Sequence, residues 1–130
     1  MAHSLSLRVI QPTLAIVRLP PGSDLPWWAE ASGEFLSFAR TPDETSVVCE
    51  ERRVPEGVRA ERSYRGLRVE GTVPFEATGV LASLAVPLAD AGVPIFVIST
   101  FDTDYVLVRE GRLDEAIDVL RRAGYSVTGH

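Results

Sequence analysis

The second half of the chain alternates short aliphatic segments with two segments of helical periodicity, and this pattern limits the fold more than any other feature. Apolar residues recur at helical spacing from Thr78 to Ala91, and Gly92 is placed to end that helix. The apolar stripe of a second helix, which Gly124 closes, consists of Leu113, Ala116, Ile117 and Leu120. Strands are predicted around the helices at 67–71, 94–100, 105–110 and 125–128. This β-α-β-β-α-β order predicts an antiparallel sheet with both helices on one face.

Two details of this half carry further expectations. Pro87 lies inside the first predicted helix and removes the backbone hydrogen bond to the carbonyl of Ser83, so we expect a bend or a looser last turn. The segment Pro94–Thr100 is apolar on both faces, which predicts a central, covered strand.

The first half of the chain predicts a shortened form of the same order of strands and helices. Strands are expected at 13–19, 34–40 and 45–51, with a short helix that Ser23 or Asp24 caps after the first of them. Residues 52–66 are polar, contain Pro55 and several arginines, and are interpreted as a connector. The sequence RTPDETSVVCEE at 40–51 parallels STFDTDYVLVRE at 99–110, which indicates an internal repeat.

The predicted fold class is therefore α+β, with two fused ferredoxin-like modules. The first, at 1–66, is truncated to β-α-β-β plus the connector, and the second, at 67–130, is complete. Seven predicted strands are one fewer than two complete modules need. We infer from the sequence that the modules share a sheet, or that a second subunit completes one.

Charge and composition exclude several classes of partner. The net charge is −5 and the pI about 5.0, which disfavours a nucleic-acid partner because phosphate binding needs clustered Lys and Arg. No apolar run approaches the roughly 20 residues that span a bilayer, and the first ten residues do not have the pattern of a signal peptide. The single cysteine, Cys49, permits neither an intramolecular disulfide nor a cysteine metal cluster. We expect a cytoplasmic protein with no membrane partner.

No catalytic constellation is visible in the sequence. Both histidines, His3 and His130, lie at the ends of the chain, and the phosphate-binding and zinc-protease motifs are missing. Asp102 and Asp104 are too few ligands to indicate a metal site. The sequence therefore predicts a protein that is not an enzyme and that uses no cofactor or metal.

The segment Phe75–Val108 resembles the ACT domains of the CASTOR-type arginine sensors and of small bacterial ACT proteins. The resemblance covers about a quarter of the chain. It is carried by Gly79-Val80-Leu81, by Pro87-Leu88-Ala89 with Ala91, and by Ser99-Thr100-Phe101 followed by Asp104. It implies a regulatory protein in which two ferredoxin-like modules hold an amino acid in a cleft. The ligand contacts that it implies are Thr78, Gly79, Thr100, Phe101, Thr103 and Asp104.

The sensors carry a glutamate two positions before the helix glycine. This chain has Ala77 there, and its acid, Glu76, stands one position earlier. A guanidinium needs a fixed carboxylate for a bidentate pair, so the resemblance does not assign arginine as the ligand. Glu76 remains a candidate contact.

Elementary chemistry supports the same segments as a site for a zwitterion. The start of a helix at Thr78, Gly79 and Val80 offers free N–H groups for a carboxylate. Asp102 or Asp104 offers a carboxylate for the ammonium, and Phe101 an apolar wall. Each residue also has a structural interpretation. Gly79 would serve tight packing of helix on strand, the acids and threonines would form the turn, and Trp27 and Trp28 would be core or interface residues.

Three functions remain open from the sequence. The favoured one is a regulatory sensor that binds a free amino acid or a similar small metabolite. The second is a ligand-free interaction or dimerisation module, in which the Trp27/Trp28 surface or a sheet edge holds a partner such as a second copy of the chain. The third, ranked far behind, is an enzyme that uses Asp102, Asp104 or Glu76 as a base.

Overall fold

The computed structural model describes residues 5–70 and 79–129, and these form two compact units. Unit 1 combines the residues up to Ile10 with those from Arg65 onward, and unit 2 comprises Gln11–Tyr64. The elements in chain order are β1 (Ser6–Val9), β2 (Leu14–Leu19), α1 (Trp27–Glu30), β3 (Ser37–Arg40), β4 (Thr45–Glu50), β5 (Ala60–Val69), α2 (Val80–Asp90), β6 (Phe96–Ser99), β7 (Asp104–Arg109), α3 (Leu113–Arg122) and β8 (Ser126–Thr128). The sequence interpretation divided the chain after residue 66 instead, and that boundary stays a prediction.

The strands of unit 1 lie in the order β6-β7-β5-β1-β8. β1, which the sequence interpretation missed, pairs antiparallel with the second half of β5, so that Leu7 lies opposite Val69. On its other side β1 pairs in parallel with β8, with Leu7 opposite Val127. The sheet is therefore mixed and not purely antiparallel as predicted, because an extra N-terminal strand lies between the first and last strands of the β-α-β-β-α-β order.

Both long helices of unit 1 pack on the same face of its sheet, as predicted. The side chains of β1, β5 and β7 that enter the core of unit 1 are every second residue of each strand, and they share this core with Leu84 and Leu88 of α2. The residues predicted for the apolar stripe of α3 are all buried: Leu113, Ala116, Ile117 and Leu120. This shared core therefore holds both helices against the same face of the unit 1 sheet.

The two helices end in the way that their glycines predicted. Gly92 has a φ of +75°, and the N–H of Val93 donates to the carbonyl of Leu88 at 2.9 Å. Gly124 has a φ of +104°, and the N–H of Tyr125 donates to the carbonyl of Leu120 at 3.0 Å. These are Schellman endings, which need a left-handed residue after the last turn. Pro87 lies inside α2, and the helix still continues to Asp90.

Unit 2 has the strand order β3-β4-β2-β5, the order of a complete ferredoxin-like module. The first half of β5 supplies its fourth strand, so the interpretation of residues 52–66 as a connector is wrong from Ala60 onward. The module is reduced in its helices instead. α1 has four residues, and a three-residue 3-10 turn at Glu51–Arg53 stands where the second helix would be. The core of unit 2 contains Ala15, Val17, Ala29, Val47, Cys49 and Val54.

The internal repeat read from the sequence corresponds to the same elements in both units. β4 at Thr45–Glu50 and β7 at Asp104–Arg109 occupy equivalent positions of the two sequences. Each strand is followed directly by a 3-10 turn, at Glu51–Arg53 and at Glu110–Arg112. The turns before the strands also match, since Thr41 bonds Glu44 through its N–H and hydroxyl just as Thr100 bonds Thr103. The repeat is therefore structural as well as sequential.

Two further expectations were wrong. The predicted strand 94–100 was expected to be central and covered, but β6 pairs with β7 alone among the described strands, and Phe96 is partly exposed. Its apolar character on both faces therefore does not reflect a position inside the sheet. The first helix was expected to be capped by Ser23 or Asp24. It begins after Pro26 with no side-chain cap, because Ser23 bonds the carbonyl of Pro20 and Asp24 pairs with Arg40.

Candidate functional site

The start of α2 is set by the backbone of Gly79. This residue has a φ of +84° and a ψ of −12°, a left-handed conformation that favours glycine. Its carbonyl accepts the first helical hydrogen bond, from the N–H of Ser83 at 2.9 Å, and none of the described side chains caps the start of the helix. An added Cβ would meet no described atom within 4 Å. Gly79 is thus required by its conformation and not by tight packing of the helix on a strand.

The turn between β6 and β7 is held by its two threonines. Thr100 donates its N–H to the carbonyl of Thr103 at 2.8 Å, and its hydroxyl contacts the carbonyl and N–H of the same residue at 3.1 and 3.3 Å. The Thr103 side chain is buried, and its hydroxyl donates to the carbonyl of Val69 at 2.7 Å. Both threonines therefore have the structural role that the sequence left open. Their contact with a ligand stays a prediction.

Asp104 and Phe101 give this turn its chemical character. The hydroxyl of Ser99 donates to Oδ1 of Asp104 at 2.5 Å, and the two residues face each other across the β6–β7 pair. This bond orients the carboxylate and leaves Oδ2 as the oxygen that Ser99 does not contact. Phe101 is 78% exposed, so its ring is an apolar surface at the tip of the turn. The sequence interpretation missed Ser99 as the residue that positions Asp104.

The bond from Thr103 to Val69 fixes which end of the sheet carries this turn. Val69 is the last residue of β5, and Thr103 immediately precedes β7. The chain segment between β5 and α2 begins directly after the end of β5. This segment therefore starts at the same end of the sheet as the turn. Glu76 and Thr78, which were predicted as contacts, lie on that connection and outside the described residues. Gly79, Val80, Thr100, Phe101, Thr103 and Asp104 all belong to unit 1.

A charged cluster on neighbouring strands was also missed by sequence reasoning. Glu70, the residue after β5, accepts a hydrogen bond from Arg68 at 2.8 Å and lies 3.5 Å from the guanidinium of Arg8. Arg68 also donates to the hydroxyl of Tyr105 at 3.3 Å. The bonds to Tyr105 and Glu70 raise the pKa of Arg68 above its usual value. Arg8 and Arg68 are direct partners in the β1–β5 register, a pairing that only the position of the unpredicted β1 reveals.

Two features of the described residues bear on metal binding and on thiol chemistry. Across 5–70 and 79–129, His, Cys, Asp and Glu side chains nowhere gather in a group of three or more that would hold a metal ion. Burial raises the pKa of the Cys49 thiol to about 11, which keeps it in its unreactive protonated form at neutral pH. None of the helices in the described ranges is long and apolar enough to cross a membrane.

Comparisons with known proteins agree with this architecture. A family model described as the ACT domain matches residues 59–122, and a second model, which describes an N-terminal domain, matches residues 13–57. A solved structure from Agrobacterium tumefaciens is 37% identical, covers 99% of this chain and 96% of its own, and has a TM-score of 0.91. The regulatory subunit of aspartate kinase from Thermus thermophilus is 10% identical, covers 92% of this chain and 97% of its own, and shares the fold with a TM-score of 0.61.

Among curated proteins, the human cytosolic arginine sensor for mTORC1 subunit 1 is 38% identical over 96 residues, which is 68% of this chain. The chain spans only 29% of the length of that relative. The matched α+β fold, the ACT family model and the glycine-started helix with its acidic hairpin turn lead to the same conclusion. The chain belongs to the ACT-domain family.

Proposed function

We propose that this protein is a regulatory module that binds a free amino acid or a similar small metabolite and carries out no reaction itself. The observation that carries the proposal is the rigid turn at Thr100–Thr103, which presents the oriented carboxylate of Asp104 and the exposed ring of Phe101 at one end of the unit 1 sheet. Membership of the ACT family and similarity to a protein named as an arginine sensor support it.

The two charged ends of an amino acid have suitable partners in this arrangement. The ammonium would bind Oδ2 of Asp104, since the Ser99 bond already orients the group. The carboxylate would accept hydrogen bonds from the first N–H groups of α2, where Gly79 and Val80 stand at the positive end of the helix dipole. Glu76 and Thr78 are proposed as further contacts on the connection that precedes Gly79.

A thermal-shift screen of the free amino acids tests the proposal. At 100 times its dissociation constant, a ligand that binds only the folded state raises the free energy of unfolding by about 2.7 kcal/mol, which is a clear rise in melting temperature. We expect at least one amino acid to give this response. A flat response to all of them and to related carboxylates and amines would contradict the proposal.

The role of Asp104 is tested with a matched pair of variants. Asp104→Asn keeps an oxygen for the Ser99 bond but removes the negative charge, and we expect it to abolish the stabilisation by ligand. Asp102→Asn removes the same charge from the exposed tip of the turn and should leave the response intact. An unchanged response in Asp104→Asn would remove Asp104 from the site.

A second candidate function is an interaction module, and one observation favours it. Trp27 is 81% exposed on unit 2, whereas Trp28 packs against the core of that unit. A large exposed aromatic side chain is typical of an interface. In that case Trp27→Ala would weaken self-association measured by analytical ultracentrifugation, and amino acids would have no effect on stability.

A further inference from the structure

Unit 2 contains an open depression that the proposed function does not use. Its volume is about 390 Å³, within the range of small-molecule sites. Two arginines and three apolar residues line it: Arg18, Leu19, Pro20, Val58 and Arg59. Leu19 and Val58 also pack against the core of unit 2, so the apolar part of the lining belongs to the folded body of the unit.

The depression lies beside the turn of unit 2 that repeats the unit 1 site. Leu19 ends β2 and is paired with Thr45, the first residue after the turn Thr41–Glu44. Arg18 reaches this turn directly, with its guanidinium 3.5 Å from Oε1 of Glu44 and 3.5 Å from the carbonyl of Asp43. Since Thr41–Glu44 is the repeat equivalent of Thr100–Thr103, the depression occupies in unit 2 the end of the sheet that the candidate site occupies in unit 1.

Only one of the two arginines has a carboxylate partner among the described residues. The N–H of Arg18 donates to the carbonyl of Arg59 at 3.1 Å, so the two residues are backbone neighbours whose like charges repel. Within the described part of the chain, Glu44 is the one carboxylate that Arg18 reaches, through a long and exposed contact of 3.5 Å. The side chain of Arg59 makes no ion pair or hydrogen bond to any residue of 5–70 or 79–129. An anion between the guanidinium groups would relieve this repulsion.

We propose that this depression, the Arg18/Arg59 site, binds a small organic carboxylate with an aliphatic body. The carboxylate is held by the guanidinium groups, whose planar N–H donors match two carboxylate oxygens. The aliphatic part rests on Leu19, Pro20 and Val58. The site lies in the other unit from the amino-acid site and involves none of its residues, so each proposal can fail without the other.

Amide chemical shifts of the full chain provide the test. The probe is 4-methylpentanoate, which has the carboxylate and an aliphatic body but lacks the ammonium of an amino acid. We expect a saturable titration at the amides of Arg18, Leu19, Val58 and Arg59, and a much weaker one with inorganic phosphate, which has no apolar part. Shifts confined to 99–104 would place the probe at the unit 1 turn and overturn the Arg18/Arg59 site without harming the first proposal.

Three variants separate the site from a general charge effect. Arg59→Gln should weaken binding of 4-methylpentanoate at least tenfold. Arg122→Gln, on the exposed face of α3, makes the same charge change in unit 1 and should leave the affinity unchanged. Glu44→Gln removes the carboxylate that competes for Arg18 and should tighten binding severalfold. Equal affinities of Arg59→Gln and the wild type, or saturation by phosphate alone, would overturn the proposal.

Discussion

Ser63 holds a backbone conformation that a residue with a Cβ adopts only at a cost. Its φ is +64°, at the point where the register between β2 and β5 shifts by one residue. The N–H of Ser63 donates to Oε1 of Glu51 at 2.6 Å, which holds the irregularity in place. A bulge with a left-handed residue is a position where glycine is preferred.

Replacing Ser63 by glycine should therefore stabilise the protein. The left-handed conformation costs a residue with a Cβ roughly 1–2 kcal/mol, and glycine loses about 0.5–1 kcal/mol more backbone entropy on folding. We expect Ser63→Gly to raise the free energy of unfolding by about 0.5 kcal/mol, measured by urea denaturation. Ser63→Ala keeps the Cβ and should bring no gain. A loss of stability in the glycine variant would show that the Ser63 side chain contributes more than its backbone costs.

The Glu50 side chain is buried and forms hydrogen bonds with the backbone of the loop at Gly33 and Glu34. It accepts hydrogen bonds from the N–H of Glu34 at 2.9 Å and of Gly33 at 3.2 Å, and it lies 3.4 Å from the guanidinium of Arg52. The bond from Glu34 is the largest of the interactions that lower the pKa of Glu50 below its usual value. Because the folded-state pKa is lowered, the ionised carboxylate stabilises the fold above the usual glutamate pKa, and this stabilisation disappears as the pH falls through the lowered value.

Glu50→Gln should thus destabilise the protein in a pH-dependent way. At pH 7 we expect a loss of about 1–3 kcal/mol, because the charged acceptor of two backbone N–H groups is replaced by an amide. The difference from the wild type should shrink as the pH falls below the usual glutamate pKa and through the lowered folded-state value, because the wild type then loses the stabilisation that its ionised carboxylate supplies. Glu56→Gln removes an equal charge at an exposed position and should show neither effect. A difference that stays constant down to pH 3 would contradict this account.

At the scale of elements, α2 depends on the backbone conformation of Gly79, the residue that directly precedes it. Gly79→Ala should lower the free energy of unfolding by about 1–2 kcal/mol, since a φ of +84° is strained for alanine. Gly111, in the 3-10 turn before α3, has no positive φ and open space around its Cα. Gly111→Ala should change stability by a few tenths of a kcal/mol at most. Equal effects of the two substitutions in thermal denaturation would argue against the conformational role of Gly79.

The elements that the sequence predicted well are those with a strong local signal. α2 and α3 follow from apolar spacing and from Gly92 and Gly124, which supply the left-handed residue of each helix end. The turn Thr100–Thr103 followed from residue types that form such turns. β1 and the first half of β5 were missed because short, partly charged strands are set by their partners and not by local propensity. β6 was misplaced in the sheet because its composition does not distinguish a covered strand from an edge.

The sequence indicated candidate residues for the site, but it did not indicate the hydrogen bonds that hold them in place. Asp104 and Gly79 were named as candidate contacts from the chemistry of a zwitterion and from the family resemblance, and their contact with a ligand stays a prediction. The bond from Ser99 to Asp104, and that from Thr103 to Val69, join residues whose proximity depends on strand register and pairing. Without an assignment of the register, the sequence does not separate a threonine that holds a turn from one that faces a ligand.

At the scale of the whole molecule, unit 1 is discontinuous in sequence. The 54 residues of unit 2, Gln11–Tyr64, separate β1 from the rest of unit 1 along the chain. Leu7 and Val9 of β1 are almost completely buried in the core of unit 1. β1 also stands between β5 and β8, so that neither of these strands pairs with the other. The module predicted from the sequence at 67–130 lacks this strand.

A fragment of residues 67–130 should therefore not fold cooperatively by itself. Burial of Leu7 and Val9 contributes about 1.5–3 kcal/mol each, which together is comparable with the whole stability of a small domain. We expect poorly dispersed amide spectra for the fragment and recovery of dispersion when a peptide of residues 1–12 is added. The same peptide with Leu7→Asp and Val9→Asp should have no effect. A cooperative melt of the fragment alone would contradict this expectation and would support the boundary that the sequence predicted.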